Sequence, residues 1–164
     1  MTTALQMPVL LAATLATGLT AGFLYAFAHT VMPGLSATDE RTYVRAFQGV
    51  DRAVSNPWFM LAFLGGPLLL AAALLLSLGD TRTWLWSGVW LGAALALSVA
   101  TILVTGAVHL PLNREIQDVA TDAGPADLAA ARERFEQRWV TWNVVRTATS
   151  TGTFVCAALA LTRV

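Results

Sequence analysis

Three side chains in this 164-residue chain stand inside long apolar stretches where solvation alone gives them no reason to be: Arg146, His29 and His109. Arg146 lies seven residues beyond Trp139, about 10 Å along a helix at 1.5 Å per residue. The stretch from Trp139 to Thr162 carries no other charge. An arginine at that depth must pair, reach back to the interface with its long stem, or line a wet cavity. Trp139, Trp142, Asn143, Arg146 and Ser150 recur at three- and four-residue spacing, which places them on one helix face. A polar face on a membrane helix points into the bundle rather than at lipid. His29 stands just before Met32-Pro33-Gly34 and His109 just before Pro111, each near the end of its apolar block. Tyr25 lies one turn below His29, Asn56 opens the second block and Asn113 closes the third. A histidine at a helix end can be a plain interfacial residue favoured by the helix dipole. Here every block contributes a polar group at one depth and nothing comparable at the other end, which predicts a cavity open on that side.

The elements that must position these groups follow from the apolar blocks. The chain is 56% hydrophobic and 12% charged, about half the charge of an ordinary soluble domain. Its blocks predict transmembrane helices over approximately 8–32, 56–78, 84–110 and 139–162, each near the roughly 20 residues that span a bilayer. The expected fold is all-α: a four-transmembrane-helix bundle formed by one membrane domain, residues 1–164. Between the blocks, Tyr43, Phe47, Val50 and Val54 fall at helical spacing, as do Leu128, Ala131, Phe135 and Trp139. Both segments read as short amphipathic helices lying in the loops at the membrane surface. The loops that hold them carry seven arginines against two, Arg82 and Arg163, on the opposite side. That asymmetry places the long loops in the cytoplasm and both termini outside, as in a bacterial-type plasma membrane. Gly79-Asp80-Thr81 then forms an external hairpin flanked by Trp84, Trp86 and Trp90 as an interfacial belt. Small residues recur every fourth position: Thr14, Gly18, Gly22, Ala26; Gly88, Gly92, Ala96, Ala100; Ala148, Gly152, Cys156, Ala160. Such stripes bring helix backbones together within a bundle or between copies in a homo-oligomer. No lysine is present and no basic patch points to nucleic acid. Cys156, the one cysteine, excludes a disulfide framework.

Several segments together resemble the anthrone oxygenase family of integral membrane proteins. They are Gly22 to Leu35 (GFLYAFAHTVMPGL), Phe47-Gln48 to Asn56-Pro57, His109-Leu-Pro-Leu-Asn113, and Arg134 to Asn143 (RFEQRWVTWN) with Arg146-Thr147. The sequence departs from the family pattern at His109 and Asp51, where many members have Asn. The resemblance implies an oxygenase-like enzyme, a monooxygenase that oxidises a flat phenolic substrate with O2 and needs no cofactor. An anthrone is a carbon acid whose anion can pass an electron to oxygen directly, so the site needs a base, an anion stabiliser and an apolar pocket. A histidine, His109 or His29, suits the base, because imidazole titrates near neutrality. Arg146 with Asn56, Asn113 and Asn143 suits the anion. Tyr25, Trp142 and Phe27 suit a flat aromatic ring. No nucleotide-binding glycine motif competes with this reading. One alternative is a copper or haem redox site on His29 and His109, with Asp51 or Met32 completing a copper set. Another is a non-catalytic membrane module. The expected partners are a small aromatic substrate, O2 and the lipid bilayer.

Overall fold

The computed structural model describes residues 2–78, 84–120 and 122–162. The expected hairpin at Gly79-Asp80-Thr81 lies outside these residues, as do Arg82 and Arg163, and the Trp84 side chain is not described. Every regular element among the described residues is helical. They are α1 (Thr2–Ala26), α2 (Met32–Ser36), α3 (Glu40–Val54), α4 (Pro57–Ser77), α5 (Trp84–Val104), α6 (Leu110–Gln117) and α7 (Pro125–Leu161). Four runs are long and apolar enough to cross a membrane: Leu5–Ser36, Pro57–Ser77, Leu85–Gln117 and Pro125–Leu161. Leu11, Leu15, Leu19, Leu61, Leu68 and Leu75 point outward and are exposed, a surface suited to lipid and not to water. The chain is an integral membrane protein.

The first and third spans continue past the prolines expected to end them. Between α1 and α2 the chain makes a π-helical turn, Phe27–Val31, and between α5 and α6 a second one, Thr105–His109. In each, the next amide bonds five residues back, Met32 N–H to Phe27 O and Leu110 N–H to Thr105 O. Pro33 and Pro111 each stand two residues past the end of the turn. Proline lacks an N–H and its ring clashes with the carbonyl four residues earlier. Widening the preceding turn relieves that clash and lets the helix run on. Each span therefore carries one wide turn at the depth of its histidine.

α3 is the amphipathic helix expected after the first span. Asp39 caps it, its carboxylate accepting from the backbone N–H groups of Arg41 and Thr42 and from Thr42 Oγ1. The Thr42 bonds hold the Asp39 carboxyl below its ordinary value. The segment expected as a second short surface helix is helical and amphipathic, with Leu128, Ala131, Phe135 and Trp139 buried. It is continuous with the last span, however, because no Gly or Pro interrupts the chain between Pro125 and Gly152.

α1 packs against α4 and α7, α5 against α7 and α4, so the four spans close a ring. One end is cored by small and aliphatic residues, Leu10, Ala13, Leu70, Ala73, Leu91, Ala94, Cys156, Ala157 and Ala160. The other is cored by Phe27, Met32, Tyr43, Phe47, Phe135 and Trp139, which join α3 to the bundle. The small-residue stripes mark these seams only in part. Gly18 faces the Phe154 ring and Gly152 faces Leu97, where an added Cβ would come within 3.1 Å and 3.0 Å. In α5 the buried seam is Ser87, Leu91, Ala94, Ser98 and Thr101, beside the Gly88 to Ala100 stripe.

α3 is fastened on both sides. Gln48 Nε2 donates to the Ile116 and Val119 carbonyls at 2.8 and 2.9 Å. Arg132 donates to the Ser36 and Thr38 carbonyls, pairs with Glu40 and Glu136, and lies 4.5 Å over the Tyr43 ring. Burial pushes the Tyr43 phenol above its ordinary pKa, with the Glu136 carboxylate adding to the shift.

Candidate functional site

Between the aliphatic core and α3 lies a cavity of about 330 Å³, within the span of small-molecule sites, roughly 300–1,000 Å³. Five of the chain's seven phenylalanines line it: Phe23, Phe27, Phe47, Phe59 and Phe63. Its polar lining comes from Asp51, Ser55, Thr105, His109, Asn113, Trp139 and Arg146. The chamber is thus an aromatic box with a few polar groups among its lining, the ordinary build of a site for a planar ligand.

Arg146 is 7% exposed. Its Nη2 donates to Asn143 Oδ1 at 2.8 Å and its Nη1 reaches Thr105 Oγ1 at 3.3 Å. Nε has no partner, and no carboxylate among the described residues pairs with the guanidinium. Its carbon lies 5.4 Å from the Trp139 ring centroid, a cation–π contact that replaces little of the lost hydration. Snorkelling is therefore not its fate, since the head stays inside the bundle. Asn143, wholly buried, also donates to the Leu24 carbonyl at 3.3 Å, which fixes the oxygen that holds Arg146.

His109 is 1% exposed, and neither ring nitrogen has a protein partner. Its ring stands edge-on to Trp139 at 5.1 Å. A buried polar group left without a hydrogen bond costs about 1–3 kcal/mol, and on the cavity wall the imidazole has room to make one. Asn113 links the cavity to α3. Its Nδ2 donates to Asp51 Oδ1 at 2.6 Å, and its Oδ1 accepts from Trp139 Nε1 at 2.9 Å. Asp51 Oδ2 accepts in turn from Gln117 Nε2 at 2.9 Å. The chain Asp51–Asn113–Trp139 fixes the indole against which both His109 and Arg146 rest.

The structure brings together His109, Arg146, Asn113, Asn143 and Phe27 from the expected site, and leaves four expected residues out. His29 and Tyr25 lie on the outer face of the first span, the tyrosine 55% exposed. There the Tyr25 and His29 rings lie 3.9 Å apart, tilted by 34°, and the His29 Nδ1 is hydrogen-bonded to the Tyr25 carbonyl. Leu24 and Phe27 hold the inward positions, so their neighbours along the turn face out. This conformation therefore does not bring His29 to His109 in one site. Among the described residues no group of three or more His, Cys, Asp or Glu side chains gathers as a ligand set. Trp142 is 39% exposed because it falls about 60° off the stripe of Trp139, Asn143, Arg146 and Ser150 at 100° per residue. Asn56 caps α4, its oxygen accepting from the Phe59 N–H at 3.0 Å and its amide donating to the Ala53 carbonyl at 2.8 Å. Both of its polar atoms are used there.

Sequence reasoning missed Trp139 as a site residue, together with Thr105 and four of the phenylalanines. Trp139 was within reach, since it shares the i, i+4, i+7 stripe with Asn143 and Arg146. The phenylalanines come from three separate helices and carry no common signal. No curated protein and no solved structure matches the chain. The anthrone oxygenase family's sequence model matches residues 58–156, more than half the chain and a span that includes His109, Asn113, Trp139, Asn143 and Arg146. The chain belongs to the anthrone oxygenase family.

Proposed function

We propose that the protein oxidises a flat aromatic carbon acid of the anthrone type with dioxygen, inside the 330 Å³ cavity. His109 takes the proton and Arg146, held by Asn143, receives the anion. The observation that carries this reading is Arg146 itself: a guanidinium within the membrane span, without a carboxylate partner among the described residues, on the wall of an aromatic box. A buried cation without an anion is strongly unfavourable. An anionic ligand supplies what the protein leaves out.

The chemistry balances on substrate and oxygen alone. His109 removes a proton from the methylene carbon, and the resulting phenolate-like anion lies against Arg146. One electron passes from that anion to O2, and the radical pair joins through a new C–O bond to give a peroxide anion. The proton returns from His109 to the peroxide. Cleavage of the O–O bond with loss of the remaining C–H proton then gives the quinone and one water. Oxygen accepts all four electrons, and the substrate is the sole reductant, so the steps call for no flavin or metal. The Phe23, Phe27 and Phe59 rings exclude water, which strengthens the Arg146 interaction as charge develops.

The test is oxygen uptake by the purified protein in micelles with anthrone as substrate. One O2 should be consumed per anthraquinone formed, without hydrogen peroxide. His109→Gln should lower the rate by about 10²–10⁴, the usual worth of a positioned base. Uptake no faster than the spontaneous oxidation of anthrone would refute the activity. A stoichiometric haem band or bound copper that is required for turnover would refute the cofactor-free mechanism.

A further inference from the structure

The cavity's walls are unequally covered. Leu24, Phe47, His109, Trp139 and Arg146 are buried, whereas three lining residues on α4 and on the α5–α6 span are open to the outside. Leu64 and Leu110 are each 47% exposed, and Gly106, between α5 and α6, is exposed as well. All three are apolar. Gly106 directly follows Thr105, the residue that Arg146 touches, so the open rim lies at the depth of the guanidinium, in a run long and apolar enough to cross a membrane. A Cβ built on Gly106 meets nothing within 4 Å. The absent side chain therefore leaves a real gap, not a close helix contact. The remaining exposed lining residue, Ser55, sits at the α3–α4 joint, next to the Asn56 cap and the membrane surface.

We propose that the cavity takes its ligand sideways from the bilayer, through a portal between α4 and the α5–α6 span whose rim is Leu64, Gly106 and Leu110. The ligand class is an apolar fused-ring acid or phenol that partitions into lipid. Its ring plane slides past the leucines and its acidic group is the first part to reach Arg146. An apolar rim costs such a molecule no desolvation, whereas approach past Ser55 would bring it through water. This inference deepens the anthrone-type reading and rests on it for the kind of ligand, but not for the chemistry that follows binding.

The experiment follows association, not turnover. The protein is reconstituted in vesicles of phosphatidylcholine, these are mixed with vesicles carrying 9-anthracenecarboxylate, a fluorescent tricyclic acid, and energy transfer from tryptophan is recorded with time. Gly106→Phe, which plugs the gap without adding a tryptophan, should slow association at least tenfold. Ser55→Phe should leave it within twofold. Leu64→Ala, which widens the rim, should speed it, and that variant decides the matter if Gly106→Phe fails to fold by circular dichroism. Slowing by Ser55→Phe but not by Gly106→Phe, or equal rates in all variants, would overturn the portal. Absence of energy transfer in the wild type would overturn both the portal and the aromatic-anion site. Binding through the portal with no oxygen uptake would leave the portal standing and sink the oxidation.

Discussion

Replacing Arg146 by Met should separate function from folding, because the two effects carry opposite signs. The guanidinium makes one short hydrogen bond, to Asn143 at 2.8 Å, one long one to Thr105 at 3.3 Å, and leaves Nε unbonded. Removing it orphans Asn143 Oδ1, at about 1–3 kcal/mol. It also removes a buried ion whose desolvation costs several kcal/mol and which no carboxylate among the described residues offsets. Met has a similar length and no charge, so the folded state should be between unchanged and about 3 kcal/mol more stable. Turnover should move the other way. Loss of a preorganised group facing the developing anion costs about 2.7–4 kcal/mol, or a rate factor of about 10²–10³. Arg146→Lys should fall between, since an ammonium keeps the charge but not the planar fork. The assays are reversible unfolding in mixed micelles by sodium dodecyl sulfate and oxygen uptake with anthrone. A loss of several kcal/mol of stability, with turnover falling only as the folded fraction falls, would show that Arg146 is a structural strut and refute the argument.

The two histidines should behave differently, with His29→Gln keeping turnover within about twofold because its ring lies outside the cavity; equal loss in both single variants would show that they act as a pair. Asp51→Leu should lower kcat more than it raises KM, because it frees Asn113 and lets Trp139 turn, and Asp51→Asn should recover most of the loss by keeping one acceptor for Asn113; no change in either would disconnect α3 from the site. Asn56→Ala should cost about 1 kcal/mol of stability through the lost cap and leave KM unchanged; a raised KM would return Asn56 to the ligand. Cysteines placed at positions 2 and 81 should be labelled from outside intact cells and one at position 122 should not, as the arginine count demands; the reverse pattern would invert the topology.

What the sequence made legible was what a single segment can encode. Length and apolarity suffice for a span, so the four membrane helices and the amphipathic face of α3 were readable without tertiary information. Arg146 was readable for the same reason, since its depth within one block sets its cost. Choices between neighbours on a helix were harder. Trp139 and Trp142 differ by about 60° on a wheel, and both fit a loose three- and four-residue spacing. Only packing against Phe27, Phe47 and His109 decides that Trp139 is the one inside.

The histidines show a deeper reason for the failure. Both precede a proline near the end of an apolar block, so His29 and His109 look equivalent in the sequence. Both fall within wide turns that lie just ahead of a proline, Phe27–Val31 and Thr105–His109. A wheel drawn at 3.6 residues per turn loses its phase across such a turn. His29 is third in its turn and exposed, whereas His109 is fifth in its own and buried. The same local device therefore turns one imidazole toward lipid and the other into the cavity. It also explains why the wide turns sit at the site: a π-turn aims side chains in directions a regular helix cannot offer, at some cost in hydrogen-bond geometry. The third span bears that cost beside Arg146 and gains from it both a ligand-ready imidazole and the open glycine one turn before it.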